Sequence, residues 1–197
     1  MANESEDFLE RGLETYCDAL RAVRHFQRSV QKTSFDVLTR HLGNLSTALG
    51  VPLDPAMIEP YLNPKPVGRP NDPEWKSADE WEGGGWVAVM LPCPQPLWRL
   101  YSGIAWDVMP DGSERGTATV DFEAYRVPTK ENLLRRVKDL NPPVRFDVGT
   151  WSREVYMRDA LVPKEMQQLG SKLADLLDEW ARFFREIRGL KALDEPG

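Results

Sequence analysis

Pro110-Asp111-Gly112 separates two stretches in which apolar and polar residues alternate one by one. Before it, Trp98, Leu100, Ile104, Trp106 and Val108 alternate with Arg99, Tyr101, Ala105 and Asp107. After it, Ala118, Val120, Phe122 and Ala124 alternate with Thr119, Asp121, Glu123 and Tyr125. A period of two gives each stretch one buried face, as in a strand. Proline and aspartate suit a type I turn, and glycine suits the left-handed position that closes a three-residue hairpin loop. Such a loop pairs Met109 with Ser113, and everything else follows. Ile104 falls opposite Ala118, Leu100 opposite Phe122 and Trp98 opposite Ala124. On the other face Asp107 meets Arg115 and Arg99 meets Glu123, two pairs of opposite charge. Turn chemistry, alternation and charge agree on one register.

The flanking segments supply helices. Leu9, Leu13, Tyr16, Leu20, Val23 and Val30 predict a helix over 4–31. Thr33 or Ser34 is positioned to cap a second, with Phe35, Leu38, Leu42, Leu45 and Leu49 as its apolar stripe and Gly50 and Pro52 as its stop. Seven of the sixteen prolines fall between Gly50 and Glu82, which predicts an ordered loop with at most one short turn near Ala56–Tyr61. A strand follows from Trp86 to Leu91. Thr129 can cap a short helix over 130–140, and Gly149-Thr150 is placed to turn a second hairpin, 144–148 with 151–158. A long amphipathic helix starts near Pro163, with Leu169, Leu173, Leu176, Leu177, Trp180, Phe183, Phe184, Ile187 and Leu190 in its stripe. Runs of hairpin strands with grouped helices predict an α+β fold. Its antiparallel sheet has about five strands, flanked by two N-terminal helices, a short crossover helix and a long C-terminal helix. One domain is expected over 1–197: a helical part (1–49), the proline-rich loop (50–82), then the sheet and last helix (83–197).

Several chemistries are disfavoured. The net charge of −6 gives no general attraction to nucleic acid or to an anionic membrane, although 126–158 is locally basic. Two isolated cysteines, Cys17 and Cys93, and two histidines, His25 and His41, offer no zinc-type spacing, so no metal and no cofactor is expected. Cys93 lies between two prolines and is read as an inert loop thiol, since nothing beside it would lower its pKa. Gly83-Gly84-Gly85 precedes a strand where a phosphate loop needs a following helix. The acidic N-terminus has no signal-peptide core, and no apolar run reaches membrane length, so a cytoplasmic chain without membrane attachment is expected.

Between 34 and 148 the order helix, three strands, helix, strand resembles the core of the PD-(D/E)XK nuclease superfamily. The resemblance implies a metal held by acidic residues of the second and third strands, which here would be Asp107, Asp121 and Glu123. The lysine of its Glu-x-Lys motif is Tyr125 in this chain, and no lysine occurs between Lys76 and Lys130. A catalytically silent relative is therefore the form the resemblance takes, and no catalytic residue is assigned. A nucleic-acid reading would use Lys130, Arg135, Arg136, Lys138, Arg145, Arg153 and Arg158, with Trp151 and Tyr156 as stacking residues. A small-ligand reading would use Arg99, Tyr101 and Tyr125 on the polar sheet face. Trp86, Trp98, Trp106 and Trp180 are expected in the core. Trp75, Trp81, Trp151 and Tyr156 are the candidate partner contacts, because exposed aromatics anchor interfaces. The leading expectation is a non-enzymatic binding or accessory protein that engages a protein partner and forms a homo-oligomer through its C-terminal helix.

Overall fold

A computed structural model describes residues 2–64, 85–93, 98–108, 114–124, 127–139, 146–151, 154–161 and 163–193. They form α1 (Ala2–Leu49), β1 (Glu59–Pro64), β2 (Gly85–Cys93), β3 (Trp98–Val108), β4 (Glu114–Ala124), α2 (Val127–Lys138), β5 (Asp147–Trp151), β6 (Glu154–Leu161) and α3 (Leu169–Glu186). All pairings are antiparallel and the strand order is β1-β2-β3-β4-β6-β5. The chain has an α+β fold. α2 carries the chain from β4 to the far edge, and β6 returns to lie beside β4.

The hairpin register is the one its turn and alternation dictate. Ile104 stands opposite Ala118, Leu100 opposite Phe122, Arg99 opposite Glu123 and Asp107 opposite Arg115. The turn residues themselves lie outside the described residues. All three helices pack on the sheet face that carries Val87, Leu100, Ile104, Val120, Phe122, Val155 and Met157. Phe122 is the centre of that layer, with Trp180 and Phe184 rings at 4.9 and 5.0 Å from its own. Trp180 also donates its indole N–H to the Val120 carbonyl at 2.9 Å, so its one polar group is satisfied where water is excluded.

Four local expectations need correction. The two N-terminal helices are one, because Gln31-Lys32-Thr33-Ser34 contains no glycine or proline to break the ladder. Ser34 is a fully buried mid-helix residue rather than a cap, and Phe35 turns outward. The proline-rich stretch contains β1, an edge strand on β2, after a 3-10 turn at Pro55–Met57 that Asp54 caps through the Ala56 N–H. An edge needs donors on one side only, so strand and proline are compatible there. β2 also runs on through Pro92 to Cys93, since β1 reaches only to Met90 and leaves Pro92 without a partner on that side. Finally, Gly149 and Thr150 lie inside β5, and the connection to β6 falls after Trp151. Gly149 is small for another reason: a Cβ there would stand 2.3 Å from the Tyr156 hydroxyl, whose ring lies across the strand.

α3 ends in a left-handed turn, with Arg188 at φ 65° and Gly189 at φ 87°. The Gly189 N–H returns to the Phe184 carbonyl at 2.7 Å, a Schellman-type closure. A Cβ on Gly189 would meet the Leu49 carbonyl oxygen at 2.8 Å, so this glycine also sets how closely α3 ends against α1. Gly189→Ala is expected to cost about 1–3 kcal/mol in urea unfolding, and a neutral result would refute the close-approach argument.

Candidate functional site

The sheet's other face carries polar and aromatic residues on the strands that the helices leave uncovered. Alternation puts Arg99, Tyr101 and Ala105 of β3, Thr119, Asp121 and Glu123 of β4, and Glu154, Tyr156 and Arg158 of β6 on it. Trp86 and Met90 of β2 and Tyr61 of β1 complete a small aromatic cluster around Tyr101. Trp86 is thus buried away from the main core, on the face opposite the one its sequence context suggests.

Asp121 is the centre of this face. Its side chain is 0% exposed, accepts a short hydrogen bond from the Thr119 hydroxyl, and has the Arg158 guanidinium at 3.9 Å. Burial pushes its pKa up to about 7, against the pull of Arg158 and Thr119. Glu154 stands directly opposite Glu123 across the β4–β6 ladder. Burial first, then the neighbouring Asp121 and Glu123 carboxylates, push its pKa up to about 8. Glu154 therefore holds a proton at neutral pH. Arg158 lies over the Tyr156 ring at 3.9 Å and 5.8 Å from Trp86, so its charge faces two π-systems as well as Asp121. Glu123 accepts the Tyr101 hydroxyl at 2.8 Å and has Arg99 at 3.6 Å. Burial and that bond to Glu123 raise the Tyr101 pKa, keeping the phenol neutral.

Two of the three carboxylates the nuclease resemblance singles out, Asp121 and Glu123, have protein partners. Asp121 is held by Thr119 and Arg158, and Glu123 by Tyr101 and Arg99. Among the described residues, no group of three His, Cys, Asp or Glu side chains is placed to hold a metal ion. Cys93 is in β2 rather than on a turn, and burial pushes its thiol up to about 12. That chemistry makes it a poor nucleophile.

Among the described residues, the basic side chains of the nucleic-acid set do not gather. Arg135, Arg136 and Lys138 are exposed on the last turn of α2, on the helical side of the sheet, whereas Arg158 is on the other side beside Asp121. Lys130 is half-buried. Of the ligand set, Arg99 and Tyr101 are brought together at Glu123, but the Tyr101 hydroxyl is already engaged. Tyr156, a candidate partner contact, is packed under Arg158 and across Gly149. Trp151 is the last residue of β5. Trp75, Trp81, Tyr125, Arg145 and Arg153 lie outside the described residues.

The second candidate surface is one the sequence hides. The stripe of α3 expected to serve a neighbour is buried within the chain: Leu169, Leu173, Leu176, Leu177, Trp180, Ala181, Phe183 and Phe184 all face the interior. The C-terminal half of α1, from Val30 onward, covers it together with the sheet. Residues 11–29 of α1 cover none of the core among the described residues. From residue 11 to 29 every side chain is exposed except the half-buried Cys17 and Gln27. Leu13 (64% exposed), Tyr16 (61%), Leu20 (36%) and Val23 (50%) form an apolar stripe along it. Over residues 11–29, about 28 Å of helix, the described residues leave this apolar stripe bare.

No helix among the described residues is long and apolar enough to cross a membrane. Comparison with family models, with curated proteins and with solved structures finds no match to the chain.

Proposed function

We propose that this chain is a non-enzymatic binding or accessory protein whose helical arm, residues 2–29, engages a protein partner. The exposed stripe Leu13, Tyr16, Leu20 and Val23 supports this reading, because helices in proteins gain most of their stability by packing an apolar face and a bare apolar face favours association. A chain lacking residues 1–28 is expected to unfold with the same urea midpoint as the full chain, within about 0.5 kcal/mol, since the described side chains it deletes, 11–28, take no part in the core. Purified from the native host, the full chain should carry a protein partner detectable by intact mass, and the shortened chain should carry none. A partner retained by the shortened chain would move the binding surface elsewhere. The silent-nuclease reading makes a separate prediction: DNA and RNA stay intact with magnesium or manganese present. Metal-dependent cleavage lost in Glu123→Ala would overturn it.

A further inference from the structure

We infer that the partner of the α1 arm is a second copy of this chain, docked antiparallel along residues 9–27; the inference rests on the arm being a protein-binding surface. Spacing comes first. Leu13, Tyr16, Leu20, Val23, Gln27 and Val30 recur at alternating intervals of three and four, the pattern of a coiled-coil seam with one polar position. The stripe is narrow and continuous with the buried part of α1 at Val30, so the seam starts where the core ends.

Charge decides the occupant and its direction. Residues 2–18 carry six acidic side chains (Glu4, Glu6, Asp7, Glu10, Glu14, Asp18) and one basic, Arg11. Residues 19–33 carry Arg21, Arg24, Arg28 and Lys32 and no acidic residue. One half of the arm is therefore complementary to the other half of the same arm. Parallel docking would place acid beside acid and base beside base, which repels. Antiparallel docking sets each acidic half along a basic half twice over. Centring on the charge boundary near residue 18 places Leu13 against Val23 and Tyr16 against Leu20 of the second copy, so every seam residue there meets another. Asp18 already pairs with Arg21 of its own helix at 2.6 Å, at the boundary where the two halves cross. Both of those groups are more than two-thirds exposed, so the pair leaves the seam open.

Sedimentation equilibrium of the full chain should give twice the 22.5 kDa of one copy at micromolar concentration. The dimer should weaken roughly tenfold between about 0.05 and 0.5 M salt, because its complementary charges are exposed. Leu20→Glu with Val23→Glu should give a monomer whose near-ultraviolet circular dichroism and unfolding midpoint are unchanged. Orientation is read by disulfide trapping in a Cys17→Ser background. Gly12→Cys chains should crosslink to Phe26→Cys chains in preference to themselves, whereas preferential 12–12 and 26–26 products would overturn the antiparallel arrangement. A photo-crosslinker replacing Leu20 in the native host separates the two levels of the argument. An adduct of twice the chain mass supports self-docking. An adduct of another mass overturns it but keeps the arm as a binding surface, and no adduct at all sinks both.

Discussion

Trp180→Ala should cost about 3–5 kcal/mol of a net stability expected near 5–15 kcal/mol, leaving a chain barely folded or unfolded. The size of the effect comes from what the indole does. It packs against Phe122, Phe183 and Phe184, and donates to the Val120 carbonyl. Truncation removes the largest side chain of the core, opens a cavity between α3 and the sheet, and leaves a buried carbonyl without that donor. Trp180→Phe separates these effects: most of the packing remains and the donor is lost, so about 1–2 kcal/mol is expected. Cutting the chain before Gly170 removes the whole layer and should abolish cooperative unfolding. Urea denaturation followed by fluorescence measures all three. A Trp180→Ala protein within about 1 kcal/mol of the parent would mean that the aromatic layer is not what holds α3 to the sheet.

Arg158→Met should destabilise the chain by about 3–5 kcal/mol at pH 8 and by much less at pH 5. Asp121 and Glu154 have folded pKa values raised to about 7 and about 8, chiefly by burial. In the unfolded chain both ionise near pH 4. Between pH 4 and 8 the folded state therefore holds protons that the unfolded state has released. Stability from these two groups is complete below pH 4 and is lost as pH rises through 7 and 8. A fall in Tm between pH 5 and 8 is expected, since the folded state has to give up these protons over that range while the unfolded state has none to lose. Arg158 offsets the loss by favouring the ionised carboxylates, so removing it should steepen the profile. Asp121→Asn should flatten it, and Asp121→Asn with Arg158→Met should recover most of what Arg158→Met loses. A flat profile in the parent, or an equal loss at pH 5 and pH 8 in Arg158→Met, would refute the assignment.

Local patterns in this sequence speak clearly where two independent signals coincide. The β3–β4 register is legible because the Pro110-Asp111-Gly112 turn and the strand alternation each specify it alone. Thr33 and Ser34 mislead because the residues that cap helices also sit within them, and only a following breaker or a lost stripe tells the cases apart. Pro60 and Pro64 mislead because proline excludes a central strand but not an edge. The Asp121–Arg158–Glu154 cluster is only faintly legible from local pattern. Its members come from β4 and β6, separated by α2 and β5, and join only through a long-range pairing. One signal was available: Asp121, Glu154, Tyr156 and Arg158 all alternate out of phase with the core residues Phe122, Val155 and Met157. The bare half of α1 is invisible for the opposite reason, because a periodic stripe looks the same whether or not something covers it.

The prolines of β1 have a consequence for the fate of the sheet. Backbone groups of alternate residues in a strand point to the same side, so Pro60 and Pro64, four apart, withhold their N–H groups on one common edge. The ladder with β2 fixes that edge as the outer one, where missing donors cost nothing. An incoming strand would find two gaps in its hydrogen bonding within six residues. Stacking of one sheet onto the next through this edge, the first step toward fibrous aggregates, is obstructed by two residues that take no part in the core. Recruitment by strand addition is obstructed by the same gaps.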